Sequence, residues 1–139
     1  MNDPNGKLFV YTLGIPDRAL SPNGDGVFAN KMKRARLRKE YKRRAVVAAI
    51  IQGRPKTPFS EFYLQPVFYH KTRRRRDRDG LLTSLKSGID GLVLAGVAID
   101  DVDMIPEPAI RLKDKHNPRV DIYIAADLST ITEATNGLE

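Results

Sequence analysis

Residues 28–52 restrict the fold more than any other part of the chain. Leu37, Tyr41, Ala45 and Ala48 recur at spacings of three and four, so they share one stripe of an α-helix. Gly53 and Pro55 stop it in the usual order, a glycine that accepts the C-terminal turn and then a proline that cannot prolong it. A second helical pattern covers residues 81–95, with Leu81, Leu85, Ile89 and Leu92 as its buried face and Gly96 as its end. Strand-like runs rich in β-branched and aromatic residues lie at 7–13 and 62–70, with two more at about 109–112 and 119–125, joined by a turn at Asn117-Pro118. Pro66 has no N–H to give to a ladder, which predicts an edge position or a bulge for its strand. Residues 21–26, Ser-Pro-Asn-Gly-Asp-Gly, read as a loop, and the polar tail from Asp127 predicts a loosely attached end.

The first helix has an unusual charge. Lys31, Lys33, Arg34, Arg36, Arg38, Lys39, Lys42, Arg43 and Arg44 face a single acid, Glu40. With so few i,i+4 ion pairs available, the like charges repel and cost stability unless something anionic sits nearby. A run of mixed sign would read as a solvated face. The one-sided sign points to phosphate contact, with Lys31, Arg34, Arg38 and Lys42, together with Arg73, Arg74, Arg75 and Arg76 further along, as candidate DNA-binding residues. The whole chain agrees, carrying +7 with a pI near 9.8, an excess that favours a polyanionic partner.

Composition narrows the chemistry. There are no cysteines, which excludes disulfides, thiolate zinc sites and a cysteine nucleophile, and two histidines are too few for a histidine-built metal site. No apolar run approaches about 20 residues and the first residues are polar, so neither a membrane span nor a signal peptide is expected, and the default compartment is cytoplasmic.

The acids are the other unusual feature. Asp77 and Asp79 stand at i and i+2 directly after Arg73, Arg74, Arg75 and Arg76. In an extended segment such side chains share a face, and two carboxylates so placed repel unless a cation sits between them. Arginine can serve. So can a divalent metal, since hard cations such as Mg²⁺ take carboxylate and phosphate oxygens. A second cluster, Asp100, Asp101 and Asp103, follows the second helix, and two acidic clusters in a basic protein fit metal-assisted phosphoryl chemistry. A calcium loop is excluded, because aligning Gly80 with the loop glycine puts Arg75 and Lys86 where acids belong.

The stretch from Asp77-Arg78-Asp79-Gly80 through Lys86 and Asp90-Gly91, then Ala95-Gly96 and Asp100-Asp101, resembles the signature of the RusA family of Holliday-junction resolvases. Ile15-Pro16 and Ser21-Pro22-Asn23 before a basic helix resemble that family's first half. The resemblance implies an α+β fold, a small mixed β-sheet with two main helices, as one domain over residues 1–139 with its core at about 7–125 and a tail at 126–139. It implies a homodimer that binds four-way DNA junctions and cuts them with Mg²⁺, Mn²⁺ being a plausible substitute. It assigns catalysis to Asp77, Asp79, Asp101 and Lys86, and metal binding to Asp77, Asp79 and Asp101 with Asp100 beside them. Gly80 stands where the family has Asn, so an amide able to orient a carboxylate is missing. The alternatives are a junction- or DNA-binding relative without chemistry, and a basic RNA-binding protein.

Helix geometry sets a constraint. On one continuous helix Asp79, Lys86 and Asp90 fall within an arc of roughly 40°, with Lys86 about 10 Å along the axis from Asp79. Asp90 is then expected to pair with Lys86 at i,i+4. The helix carries the chain away by about 22 Å and five extended residues return only about 16 Å, so Asp79 and Asp101 barely meet within one chain. A two-fold dimer that brings one subunit's closing pair to the other's Asp-x-Asp resolves the difficulty.

Overall fold

The computed structural model describes residues 7–20, 31–72 and 78–138, with Ala19, Arg78 and Asp79 described in their backbone alone. The loop expected at 21–26, the Arg73–Arg76 run and Asp77 lie outside the described residues. The elements are β1 (Phe9–Leu13), α1 (Lys31–Gln52), β2 (Phe62–His70), α2 (Arg78–Ser84), α3 (Lys86–Leu94), β3 (Met104–Pro106), β4 (Ile110–Lys113), β5 (Arg119–Ala125) and α4 (Leu128–Thr135). The fold is mixed α+β with one five-stranded mixed sheet.

β2 is the centre of that sheet. β5 lies antiparallel to it, Tyr63 opposite Ala125 and Tyr69 opposite Arg119, and β1 lies antiparallel to β5. The other side of β2 pairs in parallel with β3 at Phe62–Leu64 and with β4 at Val67–His70. Pro66 therefore sits in a central strand, where an edge position or bulge was expected. It is tolerated because its neighbour is interrupted there: β3 ends opposite Leu64 and β4 begins opposite Val67. Across the gap the Glu107 N–H donates to the Leu64 carbonyl (2.8 Å) and the Gln65 side-chain amide donates to the Pro108 carbonyl (2.7 Å). No donor is missed at Pro66, since no acceptor faces it.

Alternation along the strands puts Tyr11, Leu13, Leu64, Phe68, Val120, Ile122 and Ile124 on one face, and α1 and α3 bury it with Tyr41, Ala45, Ala49, Ile89 and Leu92. The two helices touch closely at glycines. A Cβ on Gly91 would drive into the Lys42 carbonyl oxygen and stand 2.8 Å from the Ala45 Cβ, and one on Gly88 would stand 2.7 Å from the Tyr41 ring. Side-chain bonds fix α1 to β1. Tyr41 donates to the Gly14 carbonyl (2.8 Å), Tyr11 donates to the Gly53 carbonyl (2.7 Å), and the Gln52 amide bonds both the N–H and the C=O of Thr12 (2.9 and 3.0 Å).

The helix expected at 81–95 is two helices. Ser84 Oγ donates to the Leu81 carbonyl (2.6 Å), the acceptor the Leu85 N–H would use in an α-helix, and that N–H bonds Leu82 instead (3.0 Å). A serine hydroxyl competing for a backbone carbonyl thus ends α2 and restarts the chain as α3. The tail is also more ordered than its composition implies, since α4 packs on β5 and β2 with Ile131 buried. β3, three residues ending in proline, carries too little periodicity to be read from sequence. The turn at Asn117 is held by Asp114, whose carboxylate accepts from the backbone N–H of His116 and Asn117 and from Arg119.

Burial pushes the Tyr11 hydroxyl up to about 12 and raises Tyr41 further still, against the smaller opposing pulls of Arg54 and Arg44. Both phenols are neutral donors in the folded chain and ionise near 10.0 when exposed. Their stabilising contribution is complete below pH 10.0 and is lost above it, for Tyr11 as pH rises through about 12 and for Tyr41 at still higher pH. The urea midpoint is therefore expected to hold up to about pH 10 and fall above it, with Tyr41→Phe flattening the fall. A decline as steep in Tyr11→Phe and Tyr41→Phe as in the wild type would disprove the assignment.

Candidate nucleic-acid interface and acidic clusters

β1, β2 and β4 run the same way, so Leu13, His70 and Lys113 mark one end of the sheet. α1 runs against them, with Tyr41 beside Gly14 and Gln52 back at Thr12. Its first ten residues, about 15 Å of helix, therefore extend past that end. Lys31, Lys33, Arg36, Arg38 and Lys39 are exposed there, Arg34 and Lys42 are half-buried, and only Leu37 joins the core. The first turn of α1 has no acid and its last turn no base. Cations crowd the N-terminal end of the helix, the positive end of its dipole, an arrangement that costs stability in isolation and suits an anion.

Lys71 and Lys113 are exposed at the same end. Sequence spacing could not have added them to the basic set; the β2–β4 register, which pairs His70 with Lys113, does so.

α2 follows the same end, packed near the turn Arg18–Leu20, and the backbone of Asp79 lies in its first turn. The side chain of Asp79 and all of Asp77 fall outside the described residues. Gly80 is buried, and Lys86 is exposed at the start of α3. Because the hydrogen-bond ladder breaks at Leu85, angular arithmetic on one helix does not carry from Asp79 to Lys86 or Asp90. Lys86 and Asp90 form no ion pair with each other, contrary to expectation; such an exposed pair is worth only a few tenths of a kcal/mol, so solvent competes with it readily.

The second acidic cluster lies elsewhere. α3 leads back along the sheet to Val97–Ile99, which bonds Phe59 ahead of β2, and Asp100–Asp103 then turns into β3 beside Phe62. Asp100 and Asp103 are exposed and Asp101 half-buried. The Asp100 carboxylate accepts the Asp101 N–H (2.6 Å), and no ion pair among the described residues engages Asp100, Asp101 or Asp103. β2 is nine residues long, and a strand of that length spans about 26 Å. Asp101 stands at its start, while α2 and Asp79 come after its end. Among the described residues no group of His, Asp and Glu is gathered tightly enough to hold a metal ion.

No protein-family model matches the chain, and a search of the curated proteins finds no significant match.

Proposed function

We propose that this protein is a Mg²⁺-dependent endonuclease of the RusA kind that cuts four-way junctions or other branched DNA as a homodimer. The observation that carries the proposal is the basic half of α1, whose exposed cations stand at the positive end of the helix and beyond the end of the sheet that α2 follows. Such an arrangement is stabilised by a polyanion, and its affinity falls steeply with salt.

Asp77, Asp79, Asp100 and Asp101 offer the oxygen donors a hard cation takes, and Asp100 and Asp101 are not already neutralised by a described cation. When bound, Mg²⁺ supplies Lewis acidity at the phosphate and an acidified water as nucleophile. Lys86, exposed at the start of α3, neutralises charge that develops on the phosphate oxygens. Lys31, Arg34, Arg38 and Lys42, with Arg73–Arg76, grip the backbone and position the branch. The preference for a branch comes from shape, because such contacts carry no base information. Since the length of β2 lies between the backbone of Asp79 and that of Asp101 in one chain, the working centre draws the two from different subunits.

The test is Mg²⁺-dependent nicking of a synthetic four-way junction, expected for the wild type and lost in Asp79→Asn while junction binding persists. Binding without nicking by the wild type would leave a non-catalytic junction binder, and preference for duplex RNA over the junction would reject DNA as the substrate.

A further inference from the structure

The sheet has a second face, and α4 covers only part of it. Alternation and register put Thr12 of β1, Arg119, Asp121 and Tyr123 of β5, and Val67 and Tyr69 of β2 on the side away from α1 and α3. α4 lies over β5 and β2, where Val67, Ala125 and Ile131 are buried apart from the main core. Toward the end of the sheet that α1 overhangs, Tyr69, Arg119 and Tyr123 are only half-buried.

Arg119 lies over the Tyr69 ring, 3.8 Å from its centroid, and part of it still faces solvent, the side chain being 23% exposed. It cannot swing freely. Its Nη1 donates to the Asp114 carboxylate (2.9 Å) and to the Asn117 carbonyl (3.0 Å), while Nε faces Asp121 (3.5 Å). Tyr123 belongs to the same group, since burial first, then Tyr69 and Asp121, raise its phenol and keep the ring neutral. The local acids are already engaged: Asp114 and Asp121 both hold Arg119, and Asp121 also accepts from the Thr12 hydroxyl (2.8 Å). The uncompensated charge at this end is positive, because Lys71, Lys113 and Lys115 are exposed and join no ion pair among the described residues. A fixed planar cation on a ring, bordered by spare lysines, suits a flat base on a phosphate strand better than an apolar protein surface.

We infer that this part of the sheet is a stacking platform for unpaired bases of single-stranded DNA. One base lies on the Arg119 guanidinium and a second on Tyr123, about 13 Å further along β5. Lys71, Lys113 and Lys115 meet the phosphates where the strand enters. A duplex cannot use the platform, because paired bases keep their faces inside the helix. The choice of DNA rests on the function proposed above, whereas the platform itself rests on the sheet face. With α1 gripping duplex arms, such a platform favours a branch that has unpaired bases beside it.

The test is fluorescence anisotropy of an end-labelled oligothymidylate with the full chain in EDTA, against an abasic strand of the same length. The wild type binds the oligothymidylate at least about tenfold more tightly, since a stacked base contributes about that much. Arg119→Lys keeps the charge and loses the plane, and Tyr123→Leu keeps an apolar body and loses the ring. Each lowers oligothymidylate affinity about tenfold, with the salt dependence and the abasic strand unaffected. Lys115→Ala weakens both strands and flattens the salt slope by about 0.7. Should the turn at Asp114 not tolerate lysine, Tyr123→Leu decides alone, as the Tyr123 hydroxyl makes no hydrogen bond among the described residues. Equal affinity for the two strands, variants that bind as the wild type does, or tighter binding of an oligouridylate overturns the inference. So does a dimer that Tyr123→Leu disperses in sedimentation, for the face would then belong to a second copy. Junction nicking separates this idea from the nuclease: base preference without nicking removes the nuclease alone, and nicking without base preference removes the platform alone.

Discussion

Gly91→Ala is expected to destabilise the protein by about 3 kcal/mol, a large share of what a domain this size has to lose. The added methyl would drive into the Lys42 carbonyl oxygen and stand 2.8 Å from the Cβ of buried Ala45, both on the side of α1 that meets α3. A flexible side chain could swing away. A helix backbone cannot, so α3 would have to lift off α1, loosening Tyr41, Ile89 and Leu92 together. Gly96→Ala is the control. Gly96 has φ +95° with nothing within 4 Å of an added Cβ, so the cost there is backbone strain alone, about 1 kcal/mol. Urea unfolding of the two variants decides the matter, and equal midpoints would mean that the helix crossing is not as close as described.

Asp79→Asn and Asp101→Asn are each expected to lower junction nicking by about a thousandfold, or about 4 kcal/mol of transition-state stabilisation. Their combination in trans is more informative. If one centre uses Asp79 of one subunit and Asp101 of the other, a mixed dimer has one centre with both substitutions and one with neither. At equal concentrations half of the dimers are mixed, so about a quarter of the wild-type centres return. If each centre is built within a chain, every centre carries a substitution and nothing returns. Asp101 is half-buried in a turn and Asp→Asn keeps the side-chain shape, so a circular dichroism spectrum matching the wild type is expected of each variant and the readout is rate.

The frame of the protein was legible where local pattern and tertiary burial agree. The strand at Phe62–His70 was read to its last residue, because β-branched and aromatic side chains bounded by charge and proline allow little else. The stripe through Tyr41 and Ala45 and the stop at Gly53 were legible for the same reason. What escaped depends on contacts that spacing does not carry. The split at Leu85 follows from where one serine hydroxyl points. The position of Pro66 in a central strand follows from a break in a neighbour forty residues later in the chain. α4 owes its place to Ile131, its one buried residue, and the only local sign of it was the short spacing of Leu128, Ile131 and Ala134 in a tail that is mostly polar. As for Asp79 and Asp101, helix length hinted that they stand far apart, but only the direction of β2 shows that their backbones belong to opposite ends of the sheet.

The bonds that anchor α1 to β1 have a consequence for how copies of this chain can associate. β1 is an outer strand, and outer strands invite pairing with another chain through their unused backbone groups. Here the outward N–H and C=O of Thr12 are both taken by the Gln52 amide, and the next carbonyl along, that of Gly14, by the Tyr41 hydroxyl. Within β1 an arriving strand would find only Val10 to bond, too short a run to hold register. The sheet is thus largely closed along β1 to growth by strand addition, and the side-chain amide of one residue at the end of α1 does most of the closing.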